Sequence, residues 1–280
     1  MMALIRLYRG HERLALGLLS MSLFLIAWQG LADGWWADAL QRVSGQSVTL
    51  LRIKPIFLAS PWRIATTAWQ LYFVTGEMWR HLGLSAFEFS VAFVAALVVG
   101  MPAGLIAGRN RLLSYAADPL LTALSAMPQV ALIPLVVLWM GTDVTARIFI
   151  IALLMLVPIL INAHAAARTI DPRLLKLARS FGASERQVFR SIVLPSATPY
   201  LLAGTRFAIG RGMIGIVVGE IYGSSTGVGV MINQSGAQFQ TARVFVGVLT
   251  IVVAGMALSE LVRRIEKRCH VWRQPSLEQA

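Results

Sequence analysis

Three charged residues, Arg206, Arg211 and Glu220, interrupt an otherwise apolar run at residues 197–221 and are the side chains best placed to contact a charged solute. Charges inside apolar segments are costly and usually face a bundle interior or a cavity. Arg206 and Arg211 lie roughly 140° apart around a helix, so they cannot both line one narrow stripe. Each also has a structural interpretation: the arginines could bind carbonyl or carboxylate groups, and Glu220 could pair with Arg243.

Residues suited to covalent or metal chemistry are sparse. The histidines follow neither an HxxxH nor an HExxH spacing, which argues against a metal site. Cys269 is the only cysteine, so the chain can form no internal disulfide. The sequence contains no GxxxxGK(S/T) phosphate-binding loop and no carboxylate cluster or nucleophile–base pair. We therefore expect no catalytic residue, metal or cofactor in this chain.

The amino-acid composition indicates that most of the chain is embedded in a lipid membrane. Hydrophobic residues make up 57% of the 280 residues and charged residues 14%, and the mean hydropathy is +0.68. Soluble domains carry about 25% charged residues. The apolar residues also fall into blocks about as long as a bilayer is thick. The protein is therefore an integral membrane protein.

The blocks predict an all-α bundle of about six membrane-spanning helices. The predicted spans are residues 14–32, 89–107, 120–141, 148–167, 197–221 and 244–259. The first could be a signal peptide, but its uncharged run is longer than the usual apolar region of about 7–15 residues. We expect Pro128 and Pro134 to kink the third span and Pro158 the fourth, as prolines in membrane helices can.

The net charge of +12 is distributed as in a membrane protein and does not indicate nucleic acid. Most basic residues fall in the N-terminus, in the loops 108–117 and 168–195, and in the C-terminal tail. The opposite loops carry fewer, Arg147 and Arg243 among them. Since Lys and Arg accumulate in cytoplasmic loops, we predict that both termini are cytoplasmic.

This topology divides the chain into three parts. Residues 1–83 hold the N-terminal cytoplasmic segment, the first span and an extracytoplasmic amphipathic segment. Residues 84–264 form a core of five spans, and residues 265–280 form a cytoplasmic tail.

The cytoplasmic loop 168–195 has the pattern of two short helices joined by a glycine. Asp171 can cap the first helix, with Pro172 at its first position. One apolar face of that helix comprises Leu174, Leu177, Ala178 and Phe181. Gly182 suits a left-handed helix end.

Ser184 and Gln187 form a capping-box pattern for the second helix, which we expect Pro195 to end. Such a helix pair cannot bury its apolar face alone, so it needs either its own bundle or a partner protein. A DNA-binding helix-turn-helix is excluded because the loop is tethered to the membrane at both ends.

The loop resembles the EAA loop of binding-protein-dependent ABC importer permeases, written EAA-x3-G-x9-I-x-LP. The matching positions are Ala178, Gly182, Ile192, Leu194 and Pro195. Lys176 and Leu177 stand where the glutamate and the first alanine are usual.

Further segments resemble the nitrate/sulfonate/taurine/bicarbonate branch of this family, over residues 57–264. They are Phe-Leu-Ala-Ser-Pro at 57–61, Gly-Met-Pro-Ala-Gly at 100–104, Asp-Pro at 118–119, Ala-Leu-Ile-Pro-Leu at 131–135, Gly-Thr-Arg at 204–206, Glu220 and Gly-Val-Gly at 227–229. Asp143 departs from the branch, which often has glycine there.

The resemblance implies a type I ABC importer-like permease core in the bacterial inner membrane, working as a homodimer by alternating access. It implies two cytoplasmic ATPase subunits, which would hold ATP and Mg, and a periplasmic solute-binding protein. The implied coupling residues are Lys176, Leu177, Ala178, Phe181, Gly182, Ala183, Val188, Phe189, Ile192, Leu194 and Pro195.

Candidates for the translocation path are Arg206, Arg211, Glu220 and Pro128. The arginines favour a small anion, although related permeases also carry neutral or cationic vitamin precursors. The alternative function is a secondary transporter or channel acting without an ATPase. Such proteins usually need coupling groups near the membrane midplane, and Arg206 and Arg211 are the candidates for them here.

Overall fold

A computed structural model describes residues 2–44 and 56–269, which form helices and turns and contain no β-strand. The helices are α1 (Met2–Asp33), α2 (Trp35–Ser44), α3 (Pro61–Trp69), α4 (Glu77–Arg109), α5 (Arg111–Ala126), α6 (Ile133–Met140), α7 (Val144–Arg168), α8 (Pro172–Ser180), α9 (Glu185–Val188), α10 (Leu194–Gly223), α11 (Val228–Ala237) and α12 (Thr241–Cys269). Part of the predicted amphipathic segment, residues 45–55, and residues 270–280 of the predicted tail lie outside the described residues.

Five helical segments of the described chain are long and apolar enough to cross a membrane. They are 15–33 in α1, α4, α7, the stretch 185–223 that joins α9 to α10, and 241–268 in α12. A sixth crossing requires α5 and the 129–140 segment together. The multi-pass helical bundle is thus confirmed.

The predicted third span is broken rather than kinked. Its two halves meet at 87°, with Met127 extended (ψ 132°) and Pro128 outside any helical conformation (ψ 89°). Pro134 lies in the first turn of α6, where backbone amides make no hydrogen bond within the helix, so the lack of an N–H in proline costs nothing there. The prediction that Pro134 kinks the span is therefore wrong, and the break lies at Met127–Pro128.

One compact unit of the described chain comprises residues 79–230 and 250–269. Its core lies where α7 packs on α10, and α4 and α12 add Phe89, Ala92 and Val262. The small-residue stripe of α10 (Ala208, Gly212, Gly215 and Gly219) is buried. A Cβ on Gly215 would lie 3.1 Å from the Cα of Ile151. The stripe therefore serves close helix packing, as its spacing predicts.

The other unit comprises residues 2–78 and 231–249 of the described chain. The rings of Trp28 and Phe245 pack with centroids 5.4 Å apart, and the amide of Trp62 donates to Oε1 of Gln29 at 3.1 Å. Ile64 and Leu71 are buried.

Candidate functional site

The first arm of the 168–195 loop is α8, and its start is fixed as predicted. Oδ1 of Asp171 accepts a hydrogen bond from the amide of Arg173 at 2.8 Å, and Pro172 occupies the first turn. A side-chain cap satisfies an amide that has no partner within the helix. The arm therefore begins at a defined point after α7.

The first arm ends in a complete Schellman motif at Gly182, which adopts φ +75°. The amide of Gly182 donates to the carbonyl of Arg179 at 2.9 Å, and the amide of Ala183 donates to the carbonyl of Ala178 at 3.0 Å. These two bonds define the motif and favour glycine at the left-handed position. We call residues 178–188 the elbow.

The second arm starts with the predicted capping box. The amide of Ser184 donates to Oε1 of Gln187 at 2.7 Å, and the amide of Gln187 donates to Oγ of Ser184 at 3.4 Å. The arm does not end at Pro195, however. It continues through a π-helical turn, Phe189–Val193, into α10, where Pro195 lies in the first turn.

The π-helical turn explains why the helix continues past Pro195. The amide of Leu194 donates to the carbonyl of Phe189, five residues back, and such a local π adjustment accommodates a proline, which has no N–H, inside a membrane helix. The described helix 185–223 therefore runs from the second arm into the fifth span without a loop.

The elbow packs inward through one small apolar cluster. Ile170, Val188 and Val193 are buried in it, and Leu175, Ala178, Ala183 and Ile192 pack against them. The predicted apolar face of α8 is therefore divided: Ala178 points into this cluster, while Leu174, Leu177 and Phe181 stay exposed. Phe181 is the most open of them, at 83% exposure.

An open groove of about 320 Å³ runs across the elbow. Phe181, Gly182, Val188 and Ile192 are among the residues that line it. Phe189 and Leu194 are also exposed. Exposed large apolar side chains around a groove are typical of a protein-binding surface.

Ion pairs hold the elbow to the bundle. Oε1 of Glu185 accepts from Nη2 of Arg179 at 2.9 Å, and its other carboxylate oxygen accepts from Arg109 at the end of α4. Lys176, at the position of the usual glutamate, is exposed and has no ion-pair partner within the described residues. Glu185 is therefore the acidic residue that ties the two arms together.

A second ion pair fixes the start of the loop. Both carboxylate oxygens of Asp118 accept from Nη1 of Arg168, at 2.9 and 3.0 Å. Nε2 of His164 lies 3.1 Å from Oγ of Ser114. Sequence reasoning noted the Asp-Pro pair at 118–119 but gave it no role, because its partner lies 50 residues away.

The two intramembrane arginines differ in their surroundings. Arg206 forms an ion pair with Glu266 of α12. Arg211 is exposed and has no ion-pair partner within the described residues. The structure thus separates two residues that the sequence treats alike.

Glu220 does not pair as predicted with Arg243, which binds Glu77 instead. Glu220 is fully buried. Its carboxylate accepts from the hydroxyl of Ser85 and from the amide of Gly229 at 2.6 Å. The arrangement joins α4, α10 and the start of α11.

A buried ion pair between Arg147 and Glu88 was missed. Nη2 of Arg147 lies 2.8 Å from Oε1 of Glu88, and Nη1 donates to the carbonyls of Thr142 and Gly223. Arg147 directly precedes the predicted fourth span, so its position in the sequence indicates an outer loop. The charge on Glu88 was the available signal, since an intramembrane carboxylate needs a cation.

The site is suited to binding and mechanical coupling. Among the described residues, no group of three or more His, Cys, Asp or Glu side chains could hold a metal ion. The described loop offers exposed apolar side chains, an elbow whose turn is held by the Schellman motif, and a continuous helix into the bundle.

Comparisons with known proteins agree with this arrangement. Residues 100–271 match the family described as "Binding-protein-dependent transport system inner membrane component". A candidate aliphatic sulfonates transport permease, SsuC of Bacillus subtilis, is 33% identical over 77% of this chain and 78% of its own length. The taurine transport system permease TauC of Escherichia coli is 29% identical over 85% of each chain.

Two further comparisons cover other solutes. The riboflavin transport system permease RibX of Chloroflexus aurantiacus is 30% identical over 96% of this chain and 94% of its own. A chain of the MetNI methionine ABC transporter, solved in inward-facing conformations, superposes with a TM-score of 0.60 at 19% identity. The superposition covers 70% of this chain and 98% of the other.

Proposed function

The chain belongs to the family of binding-protein-dependent transport system inner membrane components, and from this premise we propose that two copies form the pathway of an ATP-driven importer. A multi-pass inner membrane subunit of this family is a transport component rather than an enzyme. In our proposal ATP and Mg are held by two cytoplasmic ATPase subunits. A periplasmic solute-binding protein delivers the solute.

The exposed elbow is the observation that carries this proposal. Phe181 and Leu177 present apolar surface that the described chain does not cover, beside a groove of about 320 Å³. The Schellman motif at Gly182 fixes the angle between the arms. An ATPase subunit that gripped this surface would move the continuous 185–223 helix as it closed on ATP.

The solute is an organic sulfonate or a similar small anion in our proposal. The relatives named for aliphatic sulfonates and taurine support it. The relative named for riboflavin has a different solute, so the family alone does not fix this choice. Arg211 lies in the membrane-spanning part of α10 and has no ion-pair partner within the described residues, which favours the anion.

Purification of the tagged chain from its own membrane tests the proposal. We expect an ATP-hydrolysing subunit to co-purify, and solute uptake by proteoliposomes to need both ATP and that subunit. Uptake by the permease chain alone would contradict the proposal and favour a secondary transporter or channel.

A further inference from the structure

We propose that Arg211 binds the negatively charged group of the solute while it crosses the membrane, an inference that rests on the proposed importer function. Arg211 lies about 4 Å from the midpoint of α10, counted at 1.5 Å per residue. A charged side chain in the middle of a membrane-spanning helix usually faces the bundle interior or a water-filled cavity, so we expect water or an anion beside this guanidinium.

The neighbouring arginine of the same helix, Arg206, differs from Arg211 in having an acidic partner. Arg206 binds Glu266. Arg211 is exposed and lacks an ion-pair partner within the described residues. The two side chains point roughly 140° apart around α10, so the Glu266 carboxylate serves only the Arg206 side.

The face of α10 that carries Arg211 is left open by the described chain. Phe207 and Ile214, one turn to either side of it on this face, are 67% and 47% exposed, and a Cβ on Gly210 would meet no atom within 4 Å. In the proposed pathway between two copies, a solute can reach Arg211 from this open face.

The carboxylates of the described membrane-spanning helices near Arg211 already have partners. Glu88 binds Arg147, Asp118 binds Arg168, and Glu220 accepts from Ser85 and Gly229. A solute anion is therefore the partner that we assign to Arg211.

Arginine also fits the chemistry of the solute class. Its planar fork donates two parallel hydrogen bonds to an oxyanion, and a sulfonate presents three equivalent oxygens. Lysine offers the same charge but only a point contact. The site should therefore distinguish arginine from lysine.

Uptake by the complete complex tests the assignment. The permease, its ATPase subunits and its binding protein are reconstituted in proteoliposomes with radiolabelled ethanesulfonate as probe. We expect Arg211→Gln to lower uptake per ATP hydrolysed by about tenfold or more, as for one lost charge-assisted hydrogen bond. Arg211→Lys should retain part of the uptake. If Arg211→Gln takes up ethanesulfonate as well as the wild-type complex does, the assignment is overturned.

Arg264→Gln is the matched comparison, because it removes the same charge from a described helix outside the candidate translocation path. Arg264 pairs with Glu260 at an exposed surface, and exposed pairs contribute little to stability, so we expect uptake per ATP within about twofold of wild type. If both variants lose uptake equally, the loss reflects helix charge in general and Arg211 has no special role.

Thiol labelling provides a readout independent of uptake. Ile214→Cys in a Cys269→Ser background keeps Arg211 and places a thiol one turn away on the same exposed face. It should react with the anionic reagent 2-sulfonatoethyl methanethiosulfonate, and ethanesulfonate bound at Arg211 should slow the reaction. No reaction in the ATP-cycling complex overturns the assignment. If the wild-type complex shows no ATP-driven uptake of any solute, the importer function itself is refuted. If the wild-type complex takes up solute and Arg211→Gln takes it up equally well, only the role of Arg211 is refuted.

Discussion

The buried carboxylate of Glu220 accepts a hydrogen bond from the amide of Gly229 at 2.6 Å, so a residue of α10 caps the first turn of α11. The hydroxyl of Ser85 completes the link: it donates to Glu220 and accepts from the amide of Val228 at 3.0 Å. Three helices thus meet at one carboxylate. Amides at the start of a helix have no partner within it. Without this carboxylate, the amide of Gly229 would be a buried hydrogen-bond donor that lacks an acceptor, so Glu220 stabilises the junction.

Replacing Glu220 should destabilise this junction. Glu220→Ala leaves the Gly229 amide and the Ser85 hydroxyl without an acceptor, which costs about 1–3 kcal/mol for a buried group. Glu220→Gln keeps one acceptor oxygen and should be milder. Thermal unfolding of the purified complex in detergent measures the effect. Glu260→Ala is the control because Glu260 pairs only at an exposed surface, and equal shifts for both alanine variants would exclude a structural role for Glu220.

Gly229 should not tolerate a side chain. A Cβ there would lie 2.7 Å from the backbone oxygen of Val217 and 3.1 Å from Oε2 of Glu220, and a backbone atom cannot rotate away. We therefore expect Gly229→Ala to lower the melting temperature. Gly83→Ala, in α4, meets no atom within 4 Å and should leave stability unchanged or raise it by about 0.5–1 kcal/mol. Equal stability of the two variants contradicts the packing.

Local patterns were readable from the sequence because their partners are near in the chain. The cap at Asp171, the capping box at Ser184 and the left-handed Gly182 each depend on residues within about five positions, as helix-end motifs do. The small-residue stripe of α10 was also readable, since a helix fixes which residues share a face. The broken third span was foreseen only as kinks, because its 87° angle depends on what each half packs against.

Charge partners could not be read in the same way. The Arg147–Glu88 pair joins residues 59 positions apart, and the Arg243–Glu77 pair joins residues 166 apart. The predicted Glu220–Arg243 pair was plausible because both residues are predicted near the outer ends of their spans. Position along a span does not specify which face of a helix meets which neighbour. Pro195 shows the same limit, because a proline can end a helix or can lie within a continuous one where a π-helical turn accommodates it.

The pair between Glu88 and Arg147 should show strong coupling in a double-mutant cycle. Both side chains are nearly inaccessible, at 0% and 7% exposure, so Glu88→Leu alone leaves an uncompensated buried charge and should cost about 3–5 kcal/mol. The double variant Glu88→Leu with Arg147→Met removes both charges and should be less destabilised than Glu88→Leu alone. Unfolding of the single and double variants in detergent measures the coupling, and additive effects would contradict a direct pair.

Gly182→Asp should abolish ATP-driven transport while leaving membrane insertion intact. Its φ of +75° is strained for a side chain by at most about 1–2 kcal/mol, and aspartate tolerates this region better than most residues. A Cβ there meets no atom within 4 Å, so the new carboxylate projects from the elbow. Gly182→Asn has the same shape without charge and should transport better. Normal transport by Gly182→Asp would refute the coupling role.

Phe181 and Val188 should separate docking from folding within the same elbow. Phe181 is 83% exposed, so Phe181→Ser removes apolar surface that only a partner can bury and should leave the melting temperature of the isolated permease unchanged. Val188 is 1% exposed in the inner cluster, and Val188→Ser should destabilise the elbow by about 1.5–3 kcal/mol. The decisive measurement is retention of the ATPase subunit during purification, beside the unfolding temperature of each permease. We expect Phe181→Ser to lose the subunit at full stability and Val188→Ser to lose it through instability. Full retention of the ATPase subunit by Phe181→Ser would mean that the partner does not bind this face, because Phe181 is the most exposed large apolar side chain of the elbow.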